Sequence, residues 1–230
     1  LASSALPAGR ELEILEEFRD VLPEEVFTTP YENPVNGERA NRRANQRIAA
    51  TLMREAGWRP EDGKWVNEAG EPFTIEFLGG SQTAQIISGQ FVEDLRSFGF
   101  DASLRIVDSS QYIARLEQFD FDMTTTVLAQ SLSPGNEQRN FWSTESASAP
   151  DSRNLSGIEN PVVDNLIETI IFAEDRDELI AASRALDRVL LWNYYYIPQW
   201  HSPEEWVAWW DKFEFVDKQP LYTGVDIQSW

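Results

Sequence analysis

The strongest constraint on the fold is the order of hydrophobic patterns between residues 73 and 107. Residues 73–78 (FTIEFL) alternate as a β-strand does, and residues 103–107 (SLRIV) are again strand-like. Between them, residues 82–98 repeat apolar side chains at helical spacing, and Gly99 follows where a helix often ends in left-handed backbone. A strand, a helix and a strand in this order predict a βαβ unit with a right-handed crossover. The segment therefore favours an α/β fold in which helices flank a mainly parallel or mixed sheet.

The rest of the chain contains shorter signals of the same kind. Asn160 and Pro161 are a typical N-cap and first residue of a helix, and Asp175 is a candidate cap for the helix after it. The other elements that we predict are a short amphipathic helix at 11–20, a helix at 41–57, a turn-rich hairpin at 58–72, a short helix at 110–117, a strand at 121–128, helices from 161 and from 175 to about 193, and strand-like segments at 194–200 and 205–210. This alternation again indicates an α/β architecture.

The segment after the predicted strand at 121–128 is the best candidate for a functional site. It is polar, is interrupted by Pro and Gly, and continues to residue 160, whereas loops beyond about 12–15 residues are usually functional or disordered. Its hydrogen-bonding side chains are Gln130, Ser131, Ser133, Asn136, Glu137, Gln138, Arg139 and Asn140, and they are followed by Phe141 and Trp142. Polar groups that follow a strand are typical of a ligand cleft in an α/β protein. The alternative, an ordinary solvated loop, fits this composition equally well.

The composition argues against several functions. The chain of 230 residues has 39 acidic and 19 basic residues and a net charge of −20, which argues against binding to nucleic acid or to anionic membranes. It has no Cys and a single histidine, His201, so thiolate zinc sites, Cys nucleophiles and His-based catalysis are not expected. No apolar run approaches the roughly 20 residues of a membrane-spanning helix, and no motif couples a nucleophile to a base. We therefore predict no enzyme activity, no catalytic residue, no cofactor and no metal ligand.

Several segments of the chain, taken in order, are similar to one known family. They are ATLMREAGW (50–58), GEPFTIEFL (70–78), FVEDLRSFGFDASLRIVD (91–108), RLEQFDFDM (115–123) and NLSGIENPVVDNLIETI (154–170). In order and spacing they resemble family 5 of the extracellular solute-binding proteins, the periplasmic oligopeptide- and dipeptide-binding components of ABC importers. Residues 1–27 and SLSPGNEQRNFW (131–142) further resemble the subgroup that serves uptake of microcin C-type compounds and related oligopeptides.

The resemblance implies a periplasmic binding protein type II-like lobe, similar to the C-terminal one of two lobes. We expect residues 1–40 to be a connecting segment toward the other lobe, 41–215 to be the α/β lobe, and 216–230 to be a tail that returns toward the other lobe. Residue 1 is not Met, and no signal-like apolar region follows it, so we expect the N-terminal lobe and the signal peptide to precede this segment in a longer polypeptide. The implied location is the periplasm. The implied partners are a peptide ligand, the N-terminal lobe, and an inner-membrane ABC permease with its ATPase.

The resemblance also implies that the ligand lies between two lobes and that this chain supplies one wall of the site. The expected ligand contacts are Gln130, Ser131, Ser133, Asn136, Glu137, Arg139, Trp142, Asn154 and Trp200. Many peptide-binding members have an Asp just after the strand that pairs with the amino terminus of the peptide, whereas residues 129–133 (AQSLS) contain no carboxylate. A desolvated ammonium without a counter-charge is costly. We therefore expect the ligand's amino end to be blocked, modified or solvated, or to pair with Glu137.

Arg139 is the best candidate for binding a carboxylate or a phosphate-like group, because a guanidinium binds such groups bidentately. The alternative is a salt bridge with Glu137 or with another acidic neighbour. Trp142 and Trp200 would form apolar walls of the site. Related proteins of this fold take oligosaccharides or nickel complexes, so these ligand classes stay open beside peptides. Flat exposed aromatic rings would favour a sugar, and amide and hydroxyl groups would favour a peptide.

Overall fold

The computed structural model describes residues 2–37, 39–202, 206, 208, 210 and 212. The chain divides into two compact units, Leu1–Tyr196 and Ile197–Trp230, and all helices and strands of the described residues lie in the first. The α-helices are α1 (Gly9–Glu16), α2 (Glu25–Thr28), α3 (Arg39–Glu55), α4 (Gln82–Phe98), α5 (Ser109–Glu117), α6 (Gln138–Trp142), α7 (Pro161–Ile171) and α8 (Arg176–Trp192), and a 3-10 helix spans Thr144–Ser146. The strands are β1 (Arg59–Glu61), β2 (Lys64–Val66), β3 (Thr74–Gly79) and β4 (Asp101–Ile106). Within the described residues, no helix has both the length and the apolar character needed to cross a bilayer.

The βαβ unit predicted from the sequence is present. Strands β3 and β4 pair in parallel, from Thr74 opposite Asp101 to Gly79 opposite Ile106, and α4 connects them. The helix ends at Gly99 in left-handed backbone with φ 107°, and a Cβ at this position would lie 2.9 Å from the carbonyl oxygen of Gly63. Only glycine fits this combination of backbone angle and space without strain.

The predicted hairpin is also confirmed, as the antiparallel pair β1–β2. Asp62 and Gly63 have φ angles of 48° and 78°, which is the backbone of the tight turns that suit twisted hairpins. The hairpin is attached to the end of α4, because the indole Nε1 of Trp65 donates to the carbonyl oxygen of Phe98 at 2.9 Å. Hairpin and βαβ unit therefore form one local structure.

The strand predicted at 121–128 is wrong beyond a single residue. Met123 bridges Phe77 in parallel, donating to the carbonyl of Glu76 and accepting from the amide of Leu78. Side chains replace the rest of the ladder, since Asp122 Oδ2 accepts from the Glu76 amide at 2.7 Å and Thr124 Oγ1 donates to the Leu78 carbonyl at 3.1 Å. Asp and Thr side chains compete in this way with backbone pairing. The alternation that suggested a longer strand therefore does not continue.

The larger hydrophobic core, called the helical core below, consists mostly of helix residues and joins the N-terminal segment to α7 and α8. Its buried apolar residues are Ile14, Leu15, Leu22, Val26, Phe141, Trp142, Ile158, Val162, Val163, Leu166, Ile167, Ile170, Ala181, Ala182, Ala185, Leu186 and Val189. The predicted caps at its helix starts are confirmed, because Asn160 accepts from the amide of Val162 and Asp175 accepts from that of Glu178. The amphipathic helix predicted at 11–20 is α1, which ends at Glu16 and continues as turns.

The segment that directly follows α8 folds differently from the sequence prediction. No strand forms at 194–200, because α8 ends at Trp192 and Tyr194 takes left-handed backbone with φ 55°. Tyr195 and Tyr196 pack instead against the helical core. The strand predicted at 205–210 falls largely outside the described residues, and the tail at 216–230 falls wholly outside them. The division at residues 40 and 215 stays a prediction.

Candidate functional site

The chain between Met123 and α6 has no regular structure, and it carries most of the predicted ligand contacts on its surface. Gln130, Ser131, Ser133, Asn136 and Glu137 are all exposed. We refer to residues 129–137 as the site loop. All five polar side chains are therefore accessible to a ligand, and their role as ligand contacts stays a prediction.

The start of α8 holds the middle of the site loop. Nη1 of Arg176 donates to the carbonyl oxygen of Leu132 at 2.6 Å and to Oγ of Ser133 at 3.3 Å. Within the loop, the amide of Ser133 donates to Oγ of Ser131 at 3.1 Å. Arg176 is a residue that sequence reasoning missed, since it lies 43 positions from Ser133 and nothing in its own neighbourhood points to the loop.

Gln138, the first residue of α6, connects the site loop to the core. Its side chain is buried, and its Nε2 donates to Gln130 Oε1 at 2.7 Å and to Glu137 Oε1 at 3.2 Å. Its Oε1 accepts from the indole Nε1 of Trp142 at 2.9 Å. The sequence analysis counts Gln138 among the polar side chains of the candidate site but does not predict its burial. Its spacing of four residues from Trp142 places both side chains on one face of a helix. Gln138 therefore positions two candidate contacts without reaching the surface itself.

Glu137 carries the negative charge of the loop. Partial burial raises the pKa of its carboxyl, but hydrogen bonds from its own amide, from the Gly135 amide and from Gln138 outweigh this and hold the pKa below its ordinary value. The Gly135 amide lies 3.0 Å from Glu137 Oε1. The carboxylate is thus ionised at neutral pH and exposed to solvent, and it can act as the counter-charge for a ligand amine.

Arg139 forms a salt bridge with an acidic neighbour, which was the alternative to ligand binding in the sequence analysis. Its guanidinium binds Glu168 of α7, with Nε at 3.0 Å and Nη2 at 2.6 Å from Oε1 and with Nη2 at 2.8 Å from Oε2. Nη1 also donates to Oδ1 of Asn136. A ligand carboxylate would have to displace Glu168, so the role of Arg139 as a ligand contact stays a prediction that carries this cost.

The other predicted contacts lie elsewhere. Trp142 is buried in the helical core, with its ring edge-on to Tyr196 at 5.5 Å between centroids. Asn154 is 0% exposed, and its amide group bonds the carbonyls of Ser143 and Ile158 and the amide of Ile158. Trp200 is 74% exposed and belongs to the second unit. A ligand role for these three residues stays a prediction, and the geometry of the first two is that of structural residues.

An apolar cleft of about 230 Å³ begins where the site loop begins. Its lining consists of Ile113, Leu116, Glu117, Phe119, Thr126, Val127, Leu128, Phe141, Ala149, Asp151, Ser152, Arg153 and Leu155. The cleft therefore lies between α5, the segment that leads into the site loop, and the turns that follow α6. Sequence reasoning did not find it, because its walls come from four separated segments.

Comparison with known proteins gives the family. The family described as "Bacterial extracellular solute-binding proteins, family 5 Middle" matches residues 20–150. The "Probable peptide-binding protein YejA" of Agrobacterium fabrum is 48% identical over 223 residues, which are 96% of this chain and 36% of that protein. The chain belongs to family 5 of the bacterial extracellular solute-binding proteins. Because members of this family bind solutes, its membership confirms the prediction that the chain is not an enzyme.

Solved structures agree with this assignment at the level of the fold. A mannohexaose-bound periplasmic oligopeptide-binding protein of an ABC transporter from Thermotoga maritima matches 86% of this chain and 36% of its own, with a TM-score of 0.58 and 19% identity. NikZ from Campylobacter jejuni in complex with Ni(L-His) matches 83% of this chain and 38% of its own, with a TM-score of 0.60 and 12% identity. The predicted fold class, an α/β lobe of the periplasmic binding protein type II class, is thereby confirmed. This family 5 chain spans just over a third of the length of the curated relatives that it matches.

Proposed function

We propose that this chain forms one wall of a peptide-binding site in a periplasmic solute-binding protein, which delivers its ligand to an inner-membrane permease and ATPase of the ABC class. The observation that carries the proposal is the site loop, whose exposed polar side chains are held from beneath by Gln138 and Arg176. A polar surface that is fixed before the ligand arrives loses less entropy on binding. The name of the relative from Agrobacterium fabrum supports the choice of a peptide as ligand.

The chemistry of the site loop suits a peptide main chain. A peptide backbone presents one donor and one acceptor per residue, with Pro as the exception for the donor. Gln130 and Asn136 offer amide groups, and Ser131 and Ser133 offer hydroxyls, all of which both donate and accept. Groups of this kind bind main chain without selecting particular side chains. The loop therefore fits a site that accepts peptides of varied sequence.

Glu137 bears on whether the site prefers peptides with a free or with a blocked amino terminus. Residues 129–133 contain no carboxylate, and Glu137 is the one carboxylate of the site loop. It is therefore the counter-charge that the loop offers to an ammonium group. If a ligand places its amino terminus at Glu137, free peptides bind better than acetylated ones. If the amino end lies near residues 129–133, blocked or modified peptides bind at least as well.

A sugar is the second candidate ligand. The relative from Thermotoga maritima was solved with mannohexaose, and Trp200 is an exposed ring of the kind that stacks on sugars. The described part of the site loop itself has no aromatic side chain. The peptide proposal is preferred for this reason.

The experiment is a titration of the 15N-labelled chain, followed by NMR, with trialanine, N-acetyl-trialanine and mannohexaose. We expect trialanine to shift resonances of the site loop, with weak affinity because one wall lacks half the contacts and the exclusion of water by closure. Glu137→Gln should weaken trialanine binding about tenfold, as expected for one charge-assisted hydrogen bond. Glu55→Gln, an exposed carboxylate on α3, is the matched control and should have no effect.

Three results would contradict the proposal. Shifts of the loop by mannohexaose alone would favour the sugar, and an absence of loop shifts with both peptides would remove the peptide site. Tight binding of a peptide to this chain alone would contradict the one-wall arrangement.

A further inference from the structure

We propose that the cleft beside the site loop binds an apolar side chain next to a free carboxylate, with Arg153 as the partner of the carboxylate. This inference rests on the proposed function and specifies its ligand as a peptide that ends in an apolar residue with a free carboxyl terminus. It also moves the anion-binding role from Arg139, which is already paired, to an arginine that the sequence analysis did not consider.

The walls of the cleft are suited to an apolar group. Its apolar lining includes Ile113 and Leu116 of α5, Val127 and Leu128 on the approach to the site loop, and Phe141 of α6. Val127 is 85% exposed, so a ligand side chain that covers it would remove apolar area from water, which favours binding. The volume of about 230 Å³ is smaller than the about 300–1,000 Å³ of pockets that enclose a whole ligand. The cleft therefore fits one large side chain better than a complete small molecule.

Arg153 supplies a positive charge at this apolar wall and has no acidic partner in the part of the chain that the structure describes. Its guanidinium carbon lies 5.3 Å from the centre of the Phe141 ring. Among the described residues, no carboxylate oxygen lies within 4.0 Å of its nitrogens, although Glu117 and Asp151 also line the cleft. The neighbouring arginines are different, because Arg115 pairs with Asp120 at 2.6 Å and Arg139 pairs with Glu168.

The backbone fixes the position of Arg153 before any ligand binds. Its amide donates both to the carbonyl oxygen of Asn140 at 3.1 Å and to the side-chain oxygen of Asn140 at 3.0 Å. Asn140 belongs to α6, which also carries Gln138. The anchor of Arg153 and the anchor of the site loop are therefore on the same short helix, and a peptide could contact both without a change in their separation.

Two other features of the cleft fit a binding role. Phe119 and Asp151 have φ angles of 54° and 62°, and left-handed backbone at residues other than glycine is enriched at ligand sites. Ser152 has a buried hydroxyl without a hydrogen-bond partner within the described part of the chain, and such a group costs free energy until it is satisfied. A carboxylate held by Arg153 would bring an acceptor to this side of the cleft.

The test uses the absence of cysteine from the chain, which makes any introduced thiol unique. Ile113→Cys places a thiol in the cleft, and Ile86→Cys places one on α4, where the side chain is 80% exposed and outside the cleft. Each variant is alkylated with iodoacetamide, with and without N-acetyl-Ala-Ala-Leu or its carboxyl-terminal amide, and the rate is followed by intact mass spectrometry. We expect the free acid to slow alkylation of the cleft thiol and to leave the α4 thiol unchanged.

The contribution of Arg153 is measured by the concentration at which the probe protects the cleft thiol. Half-maximal protection should need a concentration of the amide about tenfold higher than that of the acid, as expected for the loss of one charge-assisted hydrogen bond at a partly exposed site. In the Arg153→Gln variant, the acid and the amide should protect the thiol at the same concentration. Arg43→Gln is the matched control, since Arg43 is exposed on α3 and also has no acidic partner among the described residues.

The outcomes separate this inference from the proposed function. Two outcomes would refute the inference and leave peptide binding intact. In the first, the acid shifts resonances of the site loop but does not protect the cleft thiol. In the second, the acid and the amide protect the thiol equally, and Arg153→Gln changes the protection by neither. If neither probe protects the cleft or shifts the loop, both the inference and the proposed function are wrong.

Discussion

The buried ion pair between Glu11 and Arg188 gives a direct test of how the N-terminal segment is held. Nε of Arg188 donates to Glu11 Oε1 at 3.0 Å across 177 positions of sequence, and the two side chains are 1% and 9% exposed. Another guanidinium nitrogen donates to the carbonyl of Ala5. In Glu11→Gln the charge of Arg188 stays buried without compensation, which costs about 3–5 kcal/mol when one partner of such a pair is removed.

We expect the lower end of this range, about 3 kcal/mol, because the amide oxygen of Gln can still accept from Nε. For a chain of this length, 1 kcal/mol corresponds to about 2–4 °C, so the melting temperature should fall by about 6–12 °C. The assay is thermal unfolding followed by circular dichroism. Glu13→Gln removes the exposed partner of Arg10 on the same helix and serves as the control, with little change expected.

The double variant Glu11→Leu with Arg188→Met completes the test. It removes both charges, so it should recover most of the stability that Glu11→Gln loses. If Glu11→Gln and Glu13→Gln melt at the same temperature, the charge of Arg188 is solvated in solution, and the buried pair between α1 and α8 is refuted.

Three other predictions follow from the geometry. Gly99→Ala should lower the free energy of unfolding by about 1–2 kcal/mol in urea titrations, because Gly99 has left-handed backbone. Gly89→Ala should raise it by about 0.5–1 kcal/mol, because Gly89 lies within α4 and a Cβ there meets open space. Gln138→Ala should move the indole NMR signal of Trp142 and cost about 1–3 kcal/mol, because the buried Nε1 loses its acceptor. In 13C NMR, the side-chain carboxyl of Glu137 should titrate below its ordinary pKa. The hydrogen bonds that lower this pKa stabilise the fold fully above the pKa that Glu137 has in the unfolded chain. This stabilisation should be lost as the pH falls through the pKa of Glu137 in the folded chain.

The parts of the fold that local signals specify could be predicted from the sequence. The βαβ unit, the hairpin and the caps at Asn160 and Asp175 each depend on residues that are close in sequence. The strand at 121–128 could not be excluded in this way, because the alternation of Phe121 and Met123 is the same whether Asp122 and Thr124 face solvent or bond to the edge of β3.

The same distinction applies to the candidate site. The site loop could be predicted because its polar residues are close together in the sequence. Arg176 was missed and the supporting role of Gln138 was not foreseen, because both act through contacts that a one-dimensional pattern does not contain. Trp142 and Asn154 were included because their residue type suggested a ligand contact, whereas the structure buries both. The cleft with Arg153 needed the meeting of α5 with the turns after α6, which is a tertiary event.

The way in which the site loop is held has a consequence for binding. Before the loop, the chain leaves the edge of β3 at Met123, but the loop's own anchors, Arg176 and Gln138, lie on α8 and α6, which contribute other residues to the helical core. The loop is therefore positioned by helix packing rather than by the sheet. Since α8 is also the helix to which the N-terminal segment is attached through Arg188, a loss of that buried pair should loosen Ser131 and Ser133 through Arg176, although no atom near a ligand has changed. In this chain, stability of the helical core and order of the candidate site are thus coupled, and Glu11→Gln should increase the amide hydrogen exchange of the site loop more than that of β4.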